Sequence, residues 1–281
     1  MKYEVFLPDL RLNDTVKRYI AVYDISIFNE MLFLPDGGNF MVFNRGLKGY
    51  SMLHNNKKYD VPESYSISIK TTKSKRAILD LQHIPIIEPA ILILVELLPI
   101  GFYKLFHKDA SCLNNQYLVI DNKITEKYFS NLYTHKSLEK DIAYLNESLV
   151  SMYDNNHNAK ECIEEIIEKI VEYKYEITID ELANEFACCT RTIERQFKKF
   201  IGISPKNFIF ISKFYQTFMA YVKDGVKLND TQYIYNDNAH LNKVFHTVVG
   251  YSPSQIFYDI KKNNNLNVYQ LKMAEAEEAY A

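Results

Sequence analysis

The chain of 281 residues has no tryptophan, and its four cysteines, Cys112, Cys162, Cys188 and Cys189, form no Cys-x2-Cys pair. No histidine stands at zinc-ligand spacing from them, so neither a zinc module nor a disulfide framework is encoded, and buried free thiols in a reducing cytosol are the expectation. Uninterrupted apolar runs are also missing. Ile84 to Ile100 is the most apolar stretch, but Pro85, Glu88, Pro89, Glu96 and Pro99 break it. Uninterrupted apolar runs there fall far short of the ~20 residues a spanning helix needs, and the stretch reads as buried strand. The chain opens without a charged-then-apolar secretory start, so a soluble, cytoplasmic protein with no membrane partner is expected. Nor is there a surplus of positive charge. The formal net charge is −2 and the pI about 6.4, which excludes a global attraction for nucleic acid. Catalytic signatures are absent as well. His54, His83 and His107 are scattered, no Gly-x-Ser-x-Gly occurs, and Pro35-Asp36-Gly37-Gly38 lacks the spacing of a phosphate loop. The expectation is a non-enzyme with no cofactor and no metal site.

What the chain does contain is a repeat. Phe197-Lys198-Lys199-Phe200-Ile201-Gly202-Ile203-Ser204-Pro205 returns 48 residues later as Phe245-His246-Thr247-Val248-Val249-Gly250-Tyr251-Ser252-Pro253. In the first copy Ile193, Phe197 and Phe200 fall at i, i+4 and i+7, one apolar helix stripe. Arg191, Arg195, Lys198 and Lys199 occupy the other side. Gly202 suits the left-handed residue that stops a helix, Ser204 can cap the next one, and Pro205 fits its first turn. Upstream, Thr178-Ile179-Asp180-Glu181 reads as a capping box opening a short helix with Leu182, Ala183 and Phe186 as its apolar positions. Ala187, Cys188 and Cys189 form a tight turn before Thr190. Helix, turn and second helix with a basic outer face is the helix-turn-helix pattern. The second copy repeats the plan with Leu241, Phe245 and Val248 as its stripe, Asp237 as N-cap, and Asn238, His240, Asn242, Lys243 and His246 on the polar face. Lys206 to Val222 reads as a long connecting helix. Residues 177–262 carry eleven Lys and Arg against eight Asp and Glu, a surplus of three. DNA binding by so modest a charge depends on a local stripe and is salt-sensitive.

Taken together, residues 178–258 resemble the AraC family of transcription regulators. The resemblance is carried by Asp180-Glu181-Leu182-Ala183, Thr190 to Phe197, the two Gly-x-Ser-Pro motifs, Lys213-Phe214 and Asp237-Asn238-Ala239-His240-Leu241. It implies a seven-helix domain whose two recognition helices enter major-groove segments about 34 Å apart on one face of the duplex. Carried over by position, the base-reading candidates are Arg191, Glu194 and Arg195, then Asn238, Ala239, His240, Asn242 and Lys243. Arg bridges guanine O6 and N7, Asn pairs with adenine, and Glu accepts from cytosine N4. Lys198, Lys199, Lys206 and Lys213, with Thr190, suit the phosphates. The chain departs from the family at Asn229-Asp230, where an Ile-Ala pair is usual, and at Ile234, where glycine is usual. The second recognition helix has one strong cation, and Cys189 stands where a capping Ser is common. The first unit is therefore expected to be the stronger reader.

Residues 1–153 alternate short apolar segments with turns: Tyr19 to Ile27, Met31 to Leu34, Phe40 to Asn44, Tyr65 to Lys70, Ala90 to Leu98 and Tyr117 to Ile120. The clearest turn is Pro35 to Asn39. This half resembles the N-terminal domain found on many AraC-like regulators, through Leu34 to Gly37 with the strand after it and Gly101 to Phe106. The resemblance implies a domain that senses a small molecule, pairs two chains, or both. Tyr50, Tyr65, Phe102 and Tyr103 fit either a pocket lining or a core. Ser137 to Met152 and Ala159 to Lys174 read as helices. The expected fold is two-domain α+β. A β-rich barrel- or sandwich-like sensor or dimerisation domain spans 1–153, and a linker 154–160. An all-helical DNA-binding domain with two helix-turn-helix units spans 161–262, and a polar tail 263–281. The partners are double-stranded DNA, a small-molecule effector and a second copy of the chain. Two alternatives stay open: a degenerate second unit serving as a protein-interaction module, and a small-molecule-binding protein or enzyme in the N-terminal domain.

Overall fold

The structure, a computed structural model, describes residues 2–23, 31–45, 50–54, 57–61, 66–67, 75–77, 91–113, 118–135, 137–156, 162–223, 238–261 and 267–268. Its N-terminal part is built on an antiparallel sheet and its C-terminal part is helical. Among the described residues the first ten strands are β1 Lys2–Phe6, β2 Val16–Tyr23, β3 Met31–Phe33, β4 Asn39–Arg45, β5 Tyr50–His54, β6 Lys57–Val61, β7 Ser66–Ile67, β8 Lys75–Ala77, β9 Ile91–Leu97 and β10 Leu118–Val119. Six of them form one sheet in the order β1-β2-β9-β4-β7-β10, with every neighbouring pair antiparallel. The second sheet runs β11-β3-β8-β5-β6, where β11 is Asn267–Val268 from the end of the chain, parallel to β3. The polar tail thus contributes a strand to the N-terminal part.

β9 is central to the first sheet, which explains its apolar run from Ile91 to Val95. Ile93, Val95 and Leu97 face one core while Leu94 is buried on the opposite face. A strand covered on both sides shows no polar alternation. The exception is Glu96, which stands across from Arg18 of β2. Both are buried, with Arg18 Nε 2.6 Å and Lys17 Nζ 3.1 Å from the Glu96 carboxylate. A register shift between Val16 and Arg18 brings both cations to one carboxylate. Burial pushes the Glu96 carboxyl up, but Lys17 and Arg18 outweigh it and hold it below the ordinary range.

Helix α1, Gly101–Phe106, follows β9 after three residues; α2, Asn122–Ile124, continues as a π-turn Thr125–Phe129; α3 is Leu138–Asn156. Helix α3 runs three residues into the segment read as a linker. Phe102, Leu105, Phe129, Leu145 and Leu149 from these helices close one face of the six-stranded sheet over Tyr19, Met41 and Phe43. Phe102 is therefore core, while nothing is described of the Tyr50 and Tyr65 side chains.

The helical part comprises α4 Cys162–Glu172, α5 Ile179–Glu185, α6 Thr190–Gln196, α7 Pro205–Lys223, α8 Asn238–Val248 and α9 Pro253–Lys261. Ile163, Ile166 and Ile170 bury the inner face of α4 at i, i+3 and i+7. Two cores divide the rest. One joins α4, α5, α6 and the start of α7, and includes Ile100 with Tyr103 packed against it; the other joins the end of α7 to α8 and α9, and includes Leu32 and Leu34. Each helical core thus takes residues from the sheet part. Asn229, Asp230, Ile234 and Asp237, where the chain departs from or caps the second unit, lie outside the described residues. Among the described residues, no helix is long and apolar enough to cross a membrane.

Candidate nucleic-acid interface

The capping box at 178–181 forms as its residues demand. The Glu181 N–H donates to Thr178 Oγ1 at 3.2 Å, and the Thr178 N–H donates to Glu181 Oε2 at 2.7 Å. Helix α5 ends at Phe186, and Ala187 takes a left-handed conformation, φ +48°, that turns the chain sharply. Cys189 then occupies the N-cap position of α6 without capping it. Its Sγ lies 3.3 Å from Thr192 Oγ1, and hydrogen bonding from Thr192 lowers the thiol pKa. Cys162 and Cys189 are both exposed, against the expectation of buried thiols, because each stands at a helix start rather than on an apolar stripe.

Helix α6 turns Ile193 and Phe197 completely inward and leaves Arg191, Glu194, Arg195 and Lys198 exposed. Thr190, its first residue, is half-buried. The helix continues as a π-turn, Phe197–Ile201, and Gly202 stops it at φ +89°. The Gly202 N–H donates to the carbonyls of Phe197, at 3.0 Å, and Lys198, at 3.1 Å. Ser204 Oγ then accepts from the Asn207 N–H at 3.2 Å, opening α7 at Pro205. Helix α8 repeats this chemistry. Leu241, Val244, Phe245 and Val248 are buried, while Asn238, Ala239, His240, Asn242 and Lys243 are exposed. Gly250 stops it at φ +86°, and Ser252 Oγ accepts from the Gln255 N–H at 3.3 Å before Pro253.

The remaining candidates separate. Lys206 is exposed on the first turn of α7. Lys213, deeper along that helix, holds its ammonium 3.5 Å from Glu176 Oε1 and is mostly covered. Lys199 is turned toward the sheet part, with its ammonium 5.2 Å from the Tyr103 ring centre and 4.5 Å from that of Phe200. On other faces of the first unit, α4 and α5 expose Glu165, Glu168, Glu172, Asp180 and Glu185. Lys169 ties these two helices, 3.1 Å from Glu172 and 2.8 Å from Glu185. The first unit therefore gathers guanidinium and ammonium donors on α6 and carboxylates on α4 and α5. An exposed row of Arg donors with one carboxylate is chemically suited to base edges and phosphates.

Sequence reasoning missed the seam between the two parts. Tyr103 meets Phe200 edge-on with ring centres 4.5 Å apart. Lys104 Nζ lies 2.6 Å from Glu164 Oε1 of α4. A Cβ added to Gly37, in the β3–β4 turn, would stand 2.9 Å from Phe208 of α7. The only available signal was the helical spacing of Phe102 and Leu105, which leaves Tyr103 and Lys104 on another face.

No protein-family model matches this chain, and no curated protein matches it. Among solved structures, ToxT from Vibrio cholerae overlaps 92% of this chain and 97% of its own at 10% identity, with a TM-score of 0.45. Wild-type ToxT from strain SCE256 with an unsaturated fatty acid bound overlaps 91% and 95% at 12% identity, with a TM-score of 0.44. Likeness at that level fixes neither a shared activity nor a shared ligand.

Proposed function

We propose that the chain is a sequence-specific DNA-binding transcription regulator of the AraC type, with α5–turn–α6 as its principal helix-turn-helix reader. The observation that carries this reading is the polarity of α6: Ile193 and Phe197 wholly buried, Arg191, Glu194, Arg195 and Lys198 exposed on the remaining surface. Arg191, Arg195 and Lys198 stand at i, i+4 and i+7, the spacing of one helix face. A helix presented this way offers bidentate donors to guanine and a carboxylate to cytosine N4. The carboxylates of α4 and α5 disfavour the phosphate backbone, so the domain meets DNA in one orientation.

In this reading α8 is a second reader through Asn238, His240, Asn242 and Lys243, while Thr190, Lys206 and Lys213 serve the phosphates. Lys213 must then leave Glu176. The division into 1–153, 154–160, 161–262 and 263–281 is kept except that α3 runs to Asn156 and Asn267–Val268 joins the sheet part, whose two sheets form one barrel- or sandwich-like sensor domain. That domain acts by population shift, an effector or a second copy altering how the readers are held.

A second reading is favoured by one observation: Leu32 and Leu34 of the sheet part belong to the core of the α8–α9 unit. Under it the second unit is a docking module and α6 alone reads bases. The test of both is selection of binding sites from random duplexes by the full chain, followed by footprinting and salt titration. Two protected major-groove segments per chain support two readers, and one supports docking. Failure to enrich any sequence overturns the DNA-binding reading.

A further inference from the structure

Two consecutive residues of α1 grip two different helices of the helical part. Tyr103 packs on Phe200 at the end of the reading helix and lies under the ammonium of Lys199. Lys104 binds Glu164 of α4 and also Asp14 of the sheet part, and Asp14 accepts from the Tyr153 hydroxyl at 3.0 Å. The Lys104–Glu164 pair is largely out of water, with side chains 12% and 15% exposed, so salt screens it weakly. Helix α1 in turn is fixed to β9. The Gly101 N–H donates to Leu98 O at 2.9 Å, and a Cβ on Gly101 would stand 2.3 Å from the Thr15 carbonyl oxygen. A shift of the sheet at β9 therefore moves Tyr103 with it.

Lys199 lies within the π-turn, where the Gly202 N–H is shared between the π partner Phe197 O and the α partner Lys198 O. The turn sits between two bonding patterns, and the packing of Phe200 on Tyr103 bears on which is adopted. Among the described residues, Arg191, Arg195 and Lys198 have no ion pair or ring contact of this kind, so Lys199 is the cation of this helix that the sheet part holds.

We propose that Tyr103 is an autoinhibitory latch on Lys199: while α1 is seated, the ring holds the ammonium away from the DNA backbone, and displacement of α1 releases it to a phosphate. The latch rests on the DNA-binding reading for its consequence but not for its geometry. Lys199 is exposed, its ammonium 4.5 Å from the ring of Phe200 on its own turn and 5.2 Å from that of Tyr103; an ammonium over an aromatic face at an exposed site is held by about 0.5–1 kcal/mol, a two- to fivefold effect, which suits modulation rather than an absolute switch.

The experiment measures binding of the full chain to a selected duplex across a salt series, for wild type and for Tyr103→Leu, Tyr103→Phe, Lys199→Ala and Tyr103→Leu/Lys199→Ala. Tyr103→Leu is expected to bind about two- to fivefold tighter, with the log K against log salt slope steeper by up to ~0.9, one added phosphate. Tyr103→Phe keeps the ring and behaves as wild type. Lys199→Ala erases the gain in the double variant. A full ~0.9 loss of slope from Lys199→Ala alone overturns the latch, since the ammonium then reaches phosphate with the ring in position. A gain that survives in the double variant also overturns it. If no duplex binds at all, the DNA-binding reading fails, and the latch is read by NMR on the free protein. The Lys199 ε-methylene resonance is expected upfield under the rings and to move toward its free position in Tyr103→Leu. A wild-type resonance at the free position, or one unmoved by the substitution, rejects it.

Discussion

Gly202 and Gly250 end their helices at nearly the same backbone angle, φ +89° and +86°. A Cβ added to Gly202 would stand 2.5 Å from the Ala110 carbonyl oxygen, whereas one added to Gly250 would meet nothing within 4 Å among the described residues. The two copies of Phe-x4-Gly-x-Ser-Pro thus share a helix stop but not its surroundings. The first is walled in by the sheet part through Ala110 and Tyr103. The second leaves its glycine stop open and instead shares its core with Leu32 and Leu34. A repeat conserves local chemistry, while each copy's partners are set by which part of the chain folds against it.

The sharpest way to break this contrast is alanine at the two glycines. Gly202→Ala combines backbone overlap with left-handed strain and is expected to cost about 2–5 kcal/mol of stability. Gly250→Ala carries only the strain, about 1–2 kcal/mol. Denaturant unfolding of each variant measures the difference, and equal losses would remove the asymmetry.

Next in size is DNA binding. Arg195→Ala is expected to lose about 1–3 kcal/mol of specific affinity and Lys243→Ala less, because the second helix has one strong cation where the first has several. Gel-shift titrations of the two variants decide it, and the reverse order makes α8 the principal reader.

The caps should instead behave alike. Ser204→Ala and Ser252→Ala each remove one bond to an N–H three residues on, with about 1 kcal/mol expected for each. Thermal melts that separate the pair widely would mean that one helix start is held by something other than its serine.

The smallest effect concerns acid. Hydrogen bonding from the Thr178 backbone, then from its side chain, holds the Glu181 carboxyl below the ordinary carboxylate range. A depressed carboxyl stabilises above the unfolded value and loses that contribution as pH falls through the folded one. Amide exchange at the start of α5 should therefore quicken as pH falls through the acid range in which Glu181 takes up its proton, relative to a Glu181→Gln variant. Parallel behaviour of the two proteins would mean that the capping box contributes nothing there.

Much of the candidate site was legible because its determinants are local. Thr178 and Glu181 are three residues apart, and Ser204 and Ser252 cap helices within three residues of themselves. Ile193 and Phe197 identify the buried face of α6 by period alone. The strands at 16–23, 39–45 and 91–97 were legible from apolar runs and turn residues. Strands β5, β6 and β8 carry no comparable run, and β1 and β11 were not read as strands at all. Cys162 and Cys189 were misread as buried because residue type, not position, decided the expectation. The phosphate expectation for Lys199 follows from its position in the family resemblance, and neither that nor helical periodicity reports that a tyrosine 96 positions earlier lies beneath it.

The sequence alone determined where helices start and stop, which face of each is apolar, and that two copies of one plan exist. Those outcomes depend on backbone preferences and on side chains a few residues apart. Only the tertiary structure decided that Tyr103 meets Phe200, that Lys104 joins Asp14 to Glu164, that Arg18 and Glu96 are buried together, and that Asn267–Val268 lies along β3. These pairings bring distant segments into contact, and their free energy comes from excluding water between surfaces that no local pattern links.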